Sequence, residues 1–125
     1  MFKILTDNTI CITRGDIADI VVSAKLRTGE NYTFKAGDVV RFAVFKKKEC
    51  SCVVVQKDAI VEAETTSVTI HLTSEDTRLD EIISKPVDYW YEIVVNPDTA
   101  PQTIIGYDEA GEKIFRLFPE GGDVA

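Results

Sequence analysis

Apolar and polar positions along this chain alternate mostly with a period of two, not 3.6. Between Ser67 and Thr73, Val68, Ile70 and Leu72 alternate with Thr69 and His71, the pattern of an antiparallel strand with one buried and one wet face. From Tyr89 to Val95, the residues Tyr89, Tyr91, Ile93 and Val95 share one face, and Trp90, Glu92 and Val94 the other. That strand is expected to have apolar cover on both sides. A slip of one residue would exchange the faces, which pins its register. Ala18, Ile20, Val22, Ala24 and Leu26 form one face of an earlier strand, with Asp19, Ser23 and Lys25 opposite. The stretch from Val39 to Phe45 is apolar on both faces except at Arg41 and reads as a central strand.

Shorter runs fill the gaps. Residues 9–13 are a short β-branched run. Val53 to Val55 and Ala59 to Val61 flank the polar Gln56-Lys57-Asp58, which predicts two strands or one bulged strand. Thr103 to Ile105 and Lys113 to Leu117 predict a final hairpin, with residues 108–112 as its turn. Gly15-Asp16 and Gly37-Asp38 each precede a strand, and Gly29-Glu30-Asn31 is a hairpin-loop candidate ahead of Tyr32. One helix is predicted over residues 74–84, capped by Ser74 or Asp76, with an apolar stripe of Leu79, Ile82 and Ile83 and with Pro86 as its stop. Strands recurring at short intervals with turns between them predict an all-β fold. The expected form is an antiparallel β-sandwich, or a small Greek-key barrel, with at most one short helix. The 125 residues suit a single domain over 1–125.

Charge narrows the partners. Asp and Glu outnumber Lys and Arg 21 to 14, a net charge of −7, which repels phosphate backbones. Lys46-Lys47-Lys48 is the one basic run and reads as a solvated turn, so no nucleic-acid partner is expected. The cysteines, Cys11, Cys50 and Cys52, are odd in number and lack CxxC spacing, which predicts free thiols, with Cys11 facing a core. The N-terminus lacks a signal-peptide pattern and no apolar run approaches membrane-spanning length. A soluble protein without membrane partners is expected.

Candidate chemistry is sparse. His71, the single histidine, sits on the polar face of its strand. Glu62, Glu64, Glu75, Asp76, Asp80 and Glu81 read as loop and helix N-terminal acids. Arg14-Gly15-Asp16 spells an integrin-type tripeptide, yet its glycine more simply supplies a turn. No Walker loop, GxGxxG, GxSxG or HExxH motif occurs. The expectation is therefore a non-enzymatic protein with no catalytic, cofactor-binding or metal-binding residues. Arg41, Trp90 and Tyr107 are the candidate contact residues, large polar or aromatic groups of the kind that anchor interfaces.

Taken in order, the turn and strand-end motifs resemble a known family. Ile12-Thr13-Arg14-Gly15-Asp16 is followed by Tyr32, Phe34 and Gly37-Asp38, then Asp76-Thr77-Arg78-Leu79, then Tyr89-Trp90-Tyr91-Glu92-Ile93. This resembles the small domain of phage and prophage proteins of Gram-positive bacteria that includes the N-terminal domain of upper baseplate proteins. The likeness spans about residues 9 to 118, with Ile17 standing where the pattern usually has Thr. It implies a β-sandwich virion subunit without an active site. Such a subunit binds copies of itself and other tail components, and resides in the host bacterial cytoplasm during assembly and then in the virion. The sequence stops at Ala125 without the receptor-directed extension of a full baseplate protein, so the expected form is a stand-alone adaptor or a structural relative. Self-association predicts an apolar patch or a paired edge strand, with Val39 to Phe45 and Tyr89 to Val95 as the strands to watch. The alternative expectation is a carbohydrate-binding β-sandwich module with Trp90 or Tyr107 on an exposed platform.

Overall fold

The alternating segments become strands. The computed structural model describes residues 2–24, 28–46, 53–79, 85–99, 101–105 and 113–119. Its strands are β1 (Phe2–Ile4), β2 (Ile10–Thr13), β3 (Ala18–Val22), β4 (Val39–Phe45), β5 (Val53–Ile60), β6 (Val68–Leu72), β7 (Val87–Val95), β8 (Gln102–Ile105) and β9 (Lys113–Phe118). A single turn of helix, α1 (Ser74–Thr77), follows β6. The larger sheet has seven strands, ordered β1-β2-β9-β7-β4-β5 with β8 also on β7, and the smaller pairs β3 with β6. This is an all-β sandwich of two unequal layers. All its pairings are antiparallel except that of β2 with β9.

Side-chain alternation decides which face of each layer turns inward. From the large sheet, Ile10, Ile12, Phe42, Tyr89, Ile93, Phe115 and Leu117 are at most 1% exposed. They pack on Ala18, Ile20 and Val22 of β3 and on Val68, Ile70 and Leu72 of β6, with Phe34 and Leu79 closing the core. Burial of each large apolar side chain contributes roughly 1.5–3 kcal/mol. Phe42 sits between the rings of Tyr91 and Phe115 at centroid distances of 5.6 and 6.2 Å, within the range in which aromatic pairs attract.

Polar locks hold the strand ends. Asn96 takes a left-handed backbone (φ 51°) just after β7. Its N–H donates to the Val39 carbonyl, and its Oδ1 accepts from the Val39 N–H at 2.9 Å. Its Nδ2 donates to Asp38 Oδ1 at 3.1 Å. Gly37, at φ 94°, makes the turn that delivers Asp38 to this lock, a conformation that glycine reaches without the Cβ penalty. From the middle of β7 the Tyr91 hydroxyl donates to the carbonyl of Asn8.

Several expectations need correction. The stretches from Val39 to Phe45 and from Tyr89 to Val95 are not edges: β4 lies between β5 and β7, and β7 pairs β4 on one side and β8 and β9 on the other. The last two strands form no hairpin. Both run antiparallel to β7, with Ile105 beside Ile93 and Lys113 beside Tyr91, so they are two parts of one interrupted line. The turn expected over 108–112 lies outside the described residues. The helix ends at Thr77, and its N-cap is Thr73 rather than Ser74 or Asp76. Thr73 and Asp76 form a reciprocal capping box, and residues 80–84 of the expected helix are outside the description. Of the two readings for Val53 to Val61, the single bulged strand is the one found: Gln56-Lys57-Asp58 is continuous strand within β5, whose register shifts opposite Val44 and Phe45.

Candidate interaction surface

The outer face of the large sheet carries two of the contact residues expected from sequence. Cross-strand register places Phe45 beside Val53 and Trp90, and Trp90 beside Ile114. An apolar row therefore crosses β5, β4, β7 and β9. Ion pairs stand on either side of it. Arg41 grips Asp58 with two bonds, Nε to Oδ1 at 2.9 Å and Nη2 to Oδ2 at 3.0 Å, and Nη2 also reaches Asp98 at 3.3 Å. Arg116 holds Asp88 in the same forked way, at 2.7 and 3.2 Å. Hydrogen bonding to Asp58 first, and then its charge and that of Asp98, raise the Arg41 pKa above its ordinary value. Asp88 does the same for Arg116. Arg41 thus serves to tie β4 to β5 and to the turn after β7. Trp90 shares this face, four residues along the sheet from Arg41, or about 13 Å. It is half-buried, and its indole N–H is out of solvent with no hydrogen-bond partner among the described residues. Tyr107 lies outside the described residues.

The remaining candidates separate. His71 Nδ1 lies 2.5 Å from Asp19 Oδ1 across the β3–β6 pair, and both side chains are exposed. Asp76 bonds the Thr73 N–H at 2.8 Å and the Lys57 ammonium at 3.1 Å. Burial pushes its carboxyl up, but these bonds outweigh burial and leave it below its ordinary value. Among the described residues no three His, Cys, Asp or Glu side chains group to hold a metal, and no helix is long and apolar enough to cross a membrane. Cys11 is a buried free thiol, while Cys50 and Cys52 lie outside the described residues, as do Lys47 and Lys48. Arg14-Gly15-Asp16 is no exposed tip. Arg14 is 9% exposed, and α1 clamps the turn. Thr77 Oγ1 accepts from the Gly15 N–H at 3.0 Å and donates to the Asp16 carbonyl at 2.8 Å, while Ser74 Oγ donates to the Gly15 carbonyl at 2.6 Å.

A second surface escaped the sequence reading. The inner-face apolar rows of the large sheet continue past the covered core. One runs Tyr89, Phe115, Ile10, Ile4 and the other Val87, Leu117, Ile12, Phe2. Their terminal members on β1 emerge into solvent, Phe2 at 37% and Ile4 at 45% exposure. The small sheet presents Ile17 and Val21 alongside them, at 65% and 62%. A cleft of about 240 Å³ lies between Phe2 and residues Ile17, Ala18, Asp19 and His71. A second, of about 190 Å³, lies between Ile4 and residues Ile20 to Ser23. Along this seam neither β1 nor β3 has a second strand partner among the described residues. The sequence did hold a signal, since Ile17 and Val21 are apolar on the otherwise polar face of β3, and Phe2 and Ile4 alternate about Lys3.

Searches of family models, of curated proteins and of solved structures return no match to this chain.

Proposed function

We propose that this chain is a non-enzymatic structural subunit that works by protein–protein contact, chiefly with copies of itself, in a phage or prophage tail assembly. The observation that carries the self-association is the exposed seam, where Phe2, Ile4, Ile17 and Val21 stand in solvent between two strand edges that have no partner among the described residues. Unpaired edges bordered by apolar side chains template the addition of further strands. The tail assignment is supported by the order of motifs described above, from Arg14-Gly15-Asp16 to Tyr89-Trp90-Tyr91.

Light scattering behind size exclusion, over a hundredfold range of concentration, tests the proposal. A mass that rises to a defined multiple of the chain mass is the expected result. A monomer throughout that range would remove self-association from the reading.

A further inference from the structure

We infer that two copies join seam to seam about a twofold axis, with β1 of each adding to the free edge of β3 of the other. The inference rests on the self-association proposed above and specifies its site and occupant.

Three observations point to this pairing. First, both edges flank the same clefts. Phe2 lies by Ile17 to Asp19, and Ile4 by Ile20 to Ser23, so β1 and β3 run the same way on one side of the sandwich. A twofold axis through the seam and parallel to the strands exchanges the two layers and keeps strand direction, which makes each β1–β3 contact parallel. It also forms both contacts at once, as an isologous interface requires. Second, the patterns match. Phe2-Lys3-Ile4 is apolar, basic, apolar, and Ala18-Asp19-Ile20 is apolar, acidic, apolar. With Lys3 opposite Asp19 of the second copy, Phe2 and Ile4 meet Ala18 and Ile20 on the inward face, while the two charges pair on the outward face. Third, the alternative of β1 pairing with its own copy, centred on Lys3, sets two like charges directly opposite, which is destabilising. Pairing β3 with β3 through Asp19 has the same defect. The mixed pair is the arrangement in which unlike charges face each other and Phe2 and Ile4 are covered. The large sheet of each copy then continues into the small sheet of the other.

Charge exchange tests the register. Lys3 and Asp19 are both exposed, so the fold tolerates their replacement, and circular dichroism checks that it does. Lys3→Glu and Asp19→Lys each convert two attractive pairs per dimer into repulsive ones, and each is expected to weaken association about tenfold or more. The double variant Lys3→Glu with Asp19→Lys restores unlike pairing and is expected to recover most of the loss. Ile60→Asp on β5, the opposite edge, should leave association unchanged. If the native protein associates but neither single variant weakens it, or the double variant fails to recover, the seam pairing is overturned and self-association stands on another surface. A native protein that stays monomeric overturns the proposed function itself, and this pairing with it.

Discussion

The hydroxyl of Thr77 is fully buried and joins two distant parts of the chain. It accepts from the Gly15 N–H and donates to the Asp16 carbonyl. Thr77→Val keeps the shape and removes both bonds to these partly buried backbone groups. The expected loss is about 2 kcal/mol, read from urea unfolding. Ionisable groups set the pH limits. The Lys35 backbone N–H, and then the Asn96 side chain, hold Asp38 below its ordinary 3.8, and Asp76 is likewise lowered. Depressed carboxyls contribute stability that is complete above the unfolded value and lost as pH falls through the folded one. The unfolding midpoint should therefore hold down to about pH 4 and fall below it. Burial raises the Tyr91 hydroxyl above its ordinary 10.0. Its contribution is complete below pH 10 and lost as pH rises further, so Tyr91→Phe should flatten the alkaline limb of a stability profile.

At the scale of elements, β3, β6 and β7 were legible because one alternating face of each is buried, and burial alternates as the sequence does. Strand β4 was legible as central because it is apolar on both faces. Partnership was harder to read. β8 and β9 each look like an arm of a hairpin, yet the long β7 offers one edge to both, and pairing along it replaces pairing between them. The helix was overextended because Leu79, Ile82 and Ile83 suggest a stripe, whereas the Arg78 N–H already turns back to the Glu75 carbonyl. Local polar chemistry also fixes where elements meet. The Asn96 side chain makes two bonds to the start of β4 and sits at positive φ. Asn96→Ala should cost about 2–3 kcal/mol in thermal or chemical unfolding, and the loss should be smaller in an Asp38→Ala background, where one of those bonds is already gone.

The whole molecule is a large sheet only partly covered by a small one. The seam follows from that mismatch, and the sequence signalled it only through Ile17 and Val21 on the polar face of β3 and the alternation of Phe2 and Ile4 about Lys3. Phe2 and Ile4 occupy inward positions, and only the width of the small sheet exposes them. Arg41 and Trp90 did fall on one face, but the arginine is committed to Asp58 and the indole to its row. The mass and charge-exchange measurements decide whether the seam is the working surface. A different property follows from the parallel pair of β2 and β9, whose four registered residue pairs join the two ends of the chain. Tension applied from the N-terminal side of β2 to the C-terminal side of β9 slides these strands past each other instead of peeling them apart. Their hydrogen bonds must then yield together, so the sheet resists load applied along that line.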